Sequence, residues 1–101
     1  MQQTLKTKEN IVLSIAVLAS DRRDTIGKCL GSLAAIRKAV PSELIILDTG
    51  CSPETRRVLE EYADKIADFT WCNDFSKARN VTLRMAEGEW FLYLDDDEWF
   101  S

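Results

Sequence analysis

The sequence predicts an α/β fold, a three-layer α/β/α sandwich around a mainly parallel four-stranded sheet, and three observations predict it. Strand-length apolar runs alternate with longer stretches of helical apolar spacing. The runs are apolar on both faces, as strands covered on both sides must be. Polar residues, acids above all, stand directly after each run. The order is strand, helix, strand, helix, strand, helix, strand. Right-handed crossovers then give a parallel sheet with helices on both faces, and the usual order of such a Rossmann-like sheet is 3-2-1-4.

The first strand is IVLSIAVLA, Ile11 to Ala19. After the polar break Ser20-Asp21-Arg22-Arg23, apolar residues at Ile26, Leu30, Leu33 and Ile36 or Ala34 form one helical stripe. Asp21 or Asp24 can cap that helix, and Pro41 ends it. Leu44 to Leu47 is the second strand, closed by the turn Asp48-Thr49-Gly50-Cys51. Ser52-Pro53-Glu54 supplies an N-cap, a proline at the first helical position and an acid in the first turn, so a helix runs to about Asp64. A weaker third strand covers Ile66 to Thr70 or Trp71, followed by the polar loop Cys72-Asn73-Asp74. The third helix starts near Ser76, carries Ala78, Val81, Leu83, Met85 and Ala86, and has Gly88 where a left-handed C-cap is wanted. The fourth strand, Trp90 to Leu94, runs directly into Asp95-Asp96-Asp97-Glu98.

Composition excludes several functions. With 46% hydrophobic and 30% charged residues over 101 positions, the chain is expected to be one globular domain, with residues 1–9 a flexible N-terminus. Lys+Arg of 13 against Asp+Glu of 17 gives a net charge of −4, which argues against nonspecific nucleic-acid or anionic-membrane binding. The absence of histidine removes Ser-His-Asp and Cys-His catalysis and histidine zinc sites together. Cys29, Cys51 and Cys72 are odd in number and lack CxxC spacing, so neither a disulfide framework nor a zinc ribbon is indicated and a reducing cytoplasm is expected. MQQTLKTKEN lacks the apolar core of a signal peptide, and no apolar run approaches the roughly 18 residues of a bilayer span.

The acids carry the functional expectation. Ser20 and Asp21 follow the first strand, Asp48 the second, Asn73 and Asp74 the third, and Asp95 to Asp97 the fourth. With order 3-2-1-4 these converge on the carboxyl edge, where a doubly wound sheet binds its ligand. Clustered hard oxygens after a buried strand suit Mg²⁺ or Mn²⁺. Strand alternation places Asp95 and Asp97 on one side and Asp96 on the other. Asp48 serves equally as turn chemistry or as an acceptor for a base or ribose. Cys51 is expected to be structural, Trp90 to lie in the core, Trp71 to be partly buried, and Arg22, Arg23, Arg56 and Arg57 to be solvated. Lys77, Arg79 and Asn80 lie on the first turns of the third helix, where an anion is favoured.

The blocks LSIAVLASDR, ELIILDTGCSPET and NDFSKARNVTLRMAEGEWFLYLDDDE, in this order, resemble the glycosyltransferase family 2 enzymes of the GT-A fold over nearly the whole chain. The resemblance implies that Asp48 contacts the nucleotide base or ribose, Asp95 the ribose or metal-bound water, and Asp97 the divalent metal on the diphosphate, with Asp96 in the same cluster. It implies that Arg79 is the base-side or phosphate-side cation and that Ala19, Ser20 and Asp21 occupy the loop lining the base. Two departures stand out: ASDR lacks the aromatic that stacks on a base, and Cys51-Ser52-Pro53 replaces Ser-Thr-Asp. The implied function is inverting transfer from a nucleotide-diphosphate sugar, a UDP-sugar, to an acceptor, with Mn²⁺ or Mg²⁺. The family's catalytic base lies beyond the acids, so it is expected past Ser101, and the chain is expected to be the donor-binding half. The alternative is a noncatalytic nucleotide- or Mg²⁺-binding module. A receiver-like signalling module gathers its acids after the first strand instead. The fourth strand is expected to leave a sheet edge open to self-association.

Overall fold

The computed structural model describes residues 11–21 and 23–95, with the backbone alone at 23 and 24. Four strands, β1 (Leu13–Ala19), β2 (Ser42–Asp48), β3 (Lys65–Asp68) and β4 (Trp90–Asp95), form one sheet in the order β3-β2-β1-β4. All three pairings are parallel, with Ala19 beside Asp48, Asp48 beside Asp68 and Leu18 beside Asp95. The strand ends, and the acids on them, therefore lie along one edge.

Helices α1 (Arg23–Ser32), α2 (Ala34–Ala39), α3 (Pro53–Tyr62) and α4 (Phe75–Met85) complete the fold. Ile15, Val17, Leu44 and Ile46 pack against Ile26, Cys29, Leu30 and Leu33 of the first helical segment and Leu59 of α3. On the other face Leu18 and Leu47 pack on Ala78 of α4, with Ala67, Phe69, Val81 and Tyr93 around them. Each fully buried leucine or isoleucine contributes about 1.5–3 kcal/mol. This is the doubly wound sandwich and strand order expected from the apolar runs.

Four details differ from the sequence expectation. The single helix predicted up to Pro41 is broken at Leu33, which lies between α1 and α2. The Ser32 hydroxyl donates to the Cys29 carbonyl at 2.7 Å, and the Leu33 amide reaches back only three residues, to Leu30, tightening the chain there. Strand β3 is shorter and earlier than predicted. Trp90, expected in the core, is 69% exposed at the first position of the edge strand. Gly88 is not a left-handed cap: α4 ends at Met85 with Ala86 extended, and Gly50 is the described glycine with positive φ, at 104°.

The opposite edge of the sheet holds a buried polar network. Glu43, 3% exposed, accepts the Ser14 hydroxyl and the Glu87 amide through Oε2, each at 2.6 Å, and its Oε1 meets Lys65 Nζ at 2.9 Å. Lys65 also donates to the Met85 carbonyl at 2.7 Å and to Glu87 at 2.9 Å. This explains why β3 begins at a lysine: its ammonium is tied to β2 and to the segment leading into β4. Among the described residues no helix is long and apolar enough to cross a membrane.

Candidate functional site

Strand termini build the site. Asp48, Asp68 and Asp95 are each the last residue of a strand, and Asp21 stands two residues past the end of β1. Asp48 is 5% exposed. The turn after β2 folds back on it, so that Oδ1 accepts the amides of Gly50 at 2.9 Å and Cys51 at 2.7 Å. Oδ2 accepts Arg56 Nη1 at 2.8 Å. Burial alone would raise the Asp48 carboxyl, but the Cys51 amide, Arg56 and the Gly50 amide together hold it below its ordinary value. Asp48 is thus both a turn residue and a charged acceptor at the carboxyl edge.

Arg56 is the residue that the sequence reading misplaced. It is not a solvated helix residue: Nη1 bridges Asp48 and Asp68, at 2.8 and 2.7 Å, and Nε reaches Glu60 at 3.2 Å. The signal was present in the helix start. Pro53 begins α3, which puts Arg56 on its first turn beside the end of β2, with Glu60 four residues on. Asp68 was missed because the third strand was expected to continue to Thr70. The two acids and Arg56, with Gly50, Thr70 and Trp71, border a cleft of about 660 Å³.

The other expected residues occupy distinct places. Ala19 is the last residue of β1, not part of the loop, and is fully buried; its carbonyl accepts the Thr49 amide at 3.0 Å and the Thr49 hydroxyl at 2.8 Å. Ser20 and Asp21 are exposed, and Asp21 takes a left-handed φ of 63°. Its carboxylate accepts the hydroxyls of Thr55 at 2.6 Å and Ser52 at 3.1 Å, tying the loop after β1 to the start of α3. Asp74 caps α4 through the Lys77 amide, and Asn73 accepts the Trp71 indole N–H at 3.1 Å. Trp71 stands edge-on to Phe75, ring centres 4.8 Å apart. Burial pushes the Cys51 thiol up to about 12, against a backbone hydrogen bond from Asp21 and with the charges of Asp48 and Asp21 adding to the rise, so it is no nucleophile at neutral pH.

The profile of the family described as glycosyl transferase family 2 matches residues 14–101. The chain belongs to glycosyl transferase family 2. It is 36% identical over 86 residues to a TPR repeat-containing protein of Synechococcus elongatus, covering 85% of this chain and 20% of that protein. It is 30% identical over 91 residues to the SPbeta prophage-derived glycosyltransferase SunS of Bacillus subtilis, covering 88% of this chain and 21% of SunS. Among solved structures it superposes on S. aureus TarS with a TM-score of 0.75 and 27% identity, over 88% of this chain and 17% of that one. A structure of TarS residues 1–349 gives 0.73 and 24%, over 88% and 28%. The chain spans about a fifth of the length of those two curated relatives.

Of the acids that follow the fourth strand, Asp95 falls within the described residues, and Asp96 and Asp97 lie outside them, as do Trp99 and Phe100. Asp95 is half-buried at the end of β4 in this family 2 sheet, on the strand face it shares with Tyr93. Arg79 is exposed on α4. Both charges act at the Tyr93 hydroxyl: burial and Asp95 raise it, and Arg79 opposes them. Arg79 is thus within electrostatic reach of Tyr93, and it is not among the residues that line the Asp48 cleft. Among the described residues the Tyr93 hydroxyl is buried without a hydrogen-bond partner. Tyr93→Phe removes that unmet group and is expected to raise stability by about 1 kcal/mol in urea unfolding. A loss of stability would show that the hydroxyl has a partner in solution. Among the described residues no three acids or cysteines gather closely enough to hold a metal ion.

Proposed function

We propose that the chain binds the nucleotide-diphosphate sugar of a glycosyltransferase, a UDP-sugar, at the carboxyl edge of its sheet, for transfer to an acceptor with inversion. The observation that carries this is the convergence of Asp48, Asp68 and Asp95 from three parallel strands on one rim, with the cleft beside Asp48. Open α/β sheets take ligands there because the crossovers diverge where the strand order reverses, here between β1 and β4.

In this reading Asp48 accepts from the base or ribose, and Ala19, Ser20 and Asp21 form the wall after β1. Arg79 places a cation near the phosphates. Asp95 contacts ribose or metal-bound water, with Asp96 beside it, and Asp95 and Asp97 hold Mg²⁺ or Mn²⁺. Asp95 suits that task as a hard oxygen donor at a strand end beside an unmet hydroxyl. The bound ion supplies positive charge to the leaving diphosphate. The acceptor site and the base that removes the acceptor proton are proposed to come from sequence outside these 101 residues, since the matched segment is about a fifth of the relatives' length.

Amide shifts on adding UDP with and without Mn²⁺ test the proposal. Metal-dependent shifts at Asp48, Arg79 and Asp95 to Asp97 are expected. No response to any nucleoside diphosphate, with or without metal, would overturn it.

A further inference from the structure

Asp48 can accept four hydrogen bonds, two on each oxygen. Oδ1 is filled by the Gly50 and Cys51 amides, and Oδ2 has one donor, Arg56 Nη1. One lone pair on Oδ2 is left without an N–H donor, on a carboxylate that is immobilised from three directions and has the weakly donating Cys51 thiol beside it. Arg56 is held in turn by Asp68 and Glu60, so that neither partner of the Asp48 ion pair is free to swing. Arg56 Nη2 has no partner among the described residues, and Arg56 lines the cleft.

We propose that Arg56 is a positioning residue for base recognition: it fixes Asp48 as a charged acceptor with one open lone pair, so the cleft selects a base that offers a ring N–H there. This deepens the donor-binding reading above and rests on it. The chemistry of discrimination is simple. Uracil and guanine carry a ring N–H on their pairing edge, next to a carbonyl. Cytosine and adenine carry a bare ring nitrogen there, whose lone pair would oppose that of the carboxylate. A carboxylate free to rotate or to take up a proton could adapt to either edge, since a protonated acid is a donor. Pairing with Arg56 removes both escapes. The direction of the Asp48 shift agrees, since Arg56 is among the groups that keep the acid ionised. The Arg56 side chain is 32% exposed and that of Asp68 80% exposed, so the pair lies at the rim of the cleft and not in the core.

The test is calorimetric titration of the chain with UDP and with CDP, in Mn²⁺, for the parent and for Arg56→Gln, Arg56→Lys and Asp68→Asn. The parent is expected to bind UDP at least about tenfold tighter than CDP, the scale of discrimination expected when a buried polar group is left unpaired by the wrong ligand. Arg56→Gln should lose about tenfold in UDP affinity and bring the two nucleotides closer together. Its UDP binding should also weaken at a higher pH than the parent's, because Asp48 without its cation takes up a proton sooner. Arg56→Lys, which keeps the charge, should restore most of the affinity and the pH profile. A purely structural arginine would move neither the nucleotide ratio nor that profile. If Arg56→Gln does not fold, Asp68→Asn carries the test: losing an exposed anchor should still narrow the UDP-to-CDP ratio. Unchanged affinity, ratio and pH profile in folded variants would overturn the inference while leaving donor binding intact. Failure of the parent to bind any nucleoside diphosphate would instead overturn the donor-binding reading itself.

Discussion

Glu43→Gln is expected to cost about 3 kcal/mol of stability at pH 7, the low end of what breaking a buried ion pair costs. The amide can still accept the Ser14 hydroxyl and the Glu87 amide, so the loss is chiefly of charge. Lys65 would then keep only Glu87 and the Met85 carbonyl as partners. Its side chain is 29% exposed, which is why the cost stays at the low end. The pH dependence gives a second readout. Burial would raise the Glu43 carboxyl, but Ser14, Lys65 and the Glu87 amide hold it below its ordinary 4.5. A carboxyl depressed on folding adds stability above its unfolded value and loses it as pH falls through the folded value. Lys65 is raised above 10.5 by Glu43 and Glu87 against the effect of burial. It therefore adds stability below 10.5 that is lost as pH rises through its folded value. Urea unfolding of the parent and Glu43→Gln should differ most between these limits and converge as pH drops below 4.5. An equal difference at acid and neutral pH would show that shape, not charge, is what Glu43 supplies.

Much of this fold was legible because its strongest signals are periodic. Both central strands are buried on two faces, so IVLSIAVLA and LIIL could hardly be anything but inner parallel strands, and the usual order of such sheets, 3-2-1-4, is the one found. Cap chemistry was local and therefore also legible at one helix, where Ser52 and Pro53 act as the sequence put them, whereas Asp74, read only as part of a polar loop, caps the last helix. The errors arose where a residue's role depends on partners distant in sequence. Lys65 starts β3 because of Glu43 and Glu87, more than twenty residues away on either side. Arg56 looked like one of several surface arginines, and only the turn that brings Asp48 and Asp68 alongside α3 gives it a task. Asp21 stood out as a cap candidate, and its bonds to Thr55 and Ser52 across the edge could not be read from the helix start. Gly88 was assigned by its place after a helix, and its actual reason is the strand beside it.

That reason makes Gly88→Ala the second large effect. A Cβ on Gly88 would lie 2.8 Å from Ser14 Oγ, 2.9 Å from the Ser14 amide nitrogen and 3.0 Å from the Leu13 carbonyl carbon. The serine hydroxyl could turn away, but the nitrogen and carbon are backbone of β1 and cannot. The chain entering β4 would have to back off. That movement would strain the Gly88 amide bond to Ser14 Oγ, at 2.8 Å, and the Trp90 amide bond to Val12, at 2.8 Å. Forced overpacking of this kind costs about 1–3 kcal/mol, and the backbone contacts put this case at the upper end, roughly 3 kcal/mol. At about 4–8 °C per kcal/mol in a domain of this size, thermal unfolding should fall by more than 10 °C. Ser14→Ala combined with Gly88→Ala should recover little, because two of the three contacts remain and the Ser14 hydroxyl's bonds to Glu43 and the Gly88 amide are lost. Complete recovery in the double variant would mean that the side chain alone requires the glycine. The effect should also reach the far edge. Gly88 seats β4 against β1 in the register that sets Asp95 beside Leu18. If the proposed donor site is right, Gly88→Ala should weaken UDP binding in the presence of Mn²⁺ even at temperatures where the chain remains folded, whereas a change in stability without a change in affinity would place the whole effect at the Ser14 end of the strand.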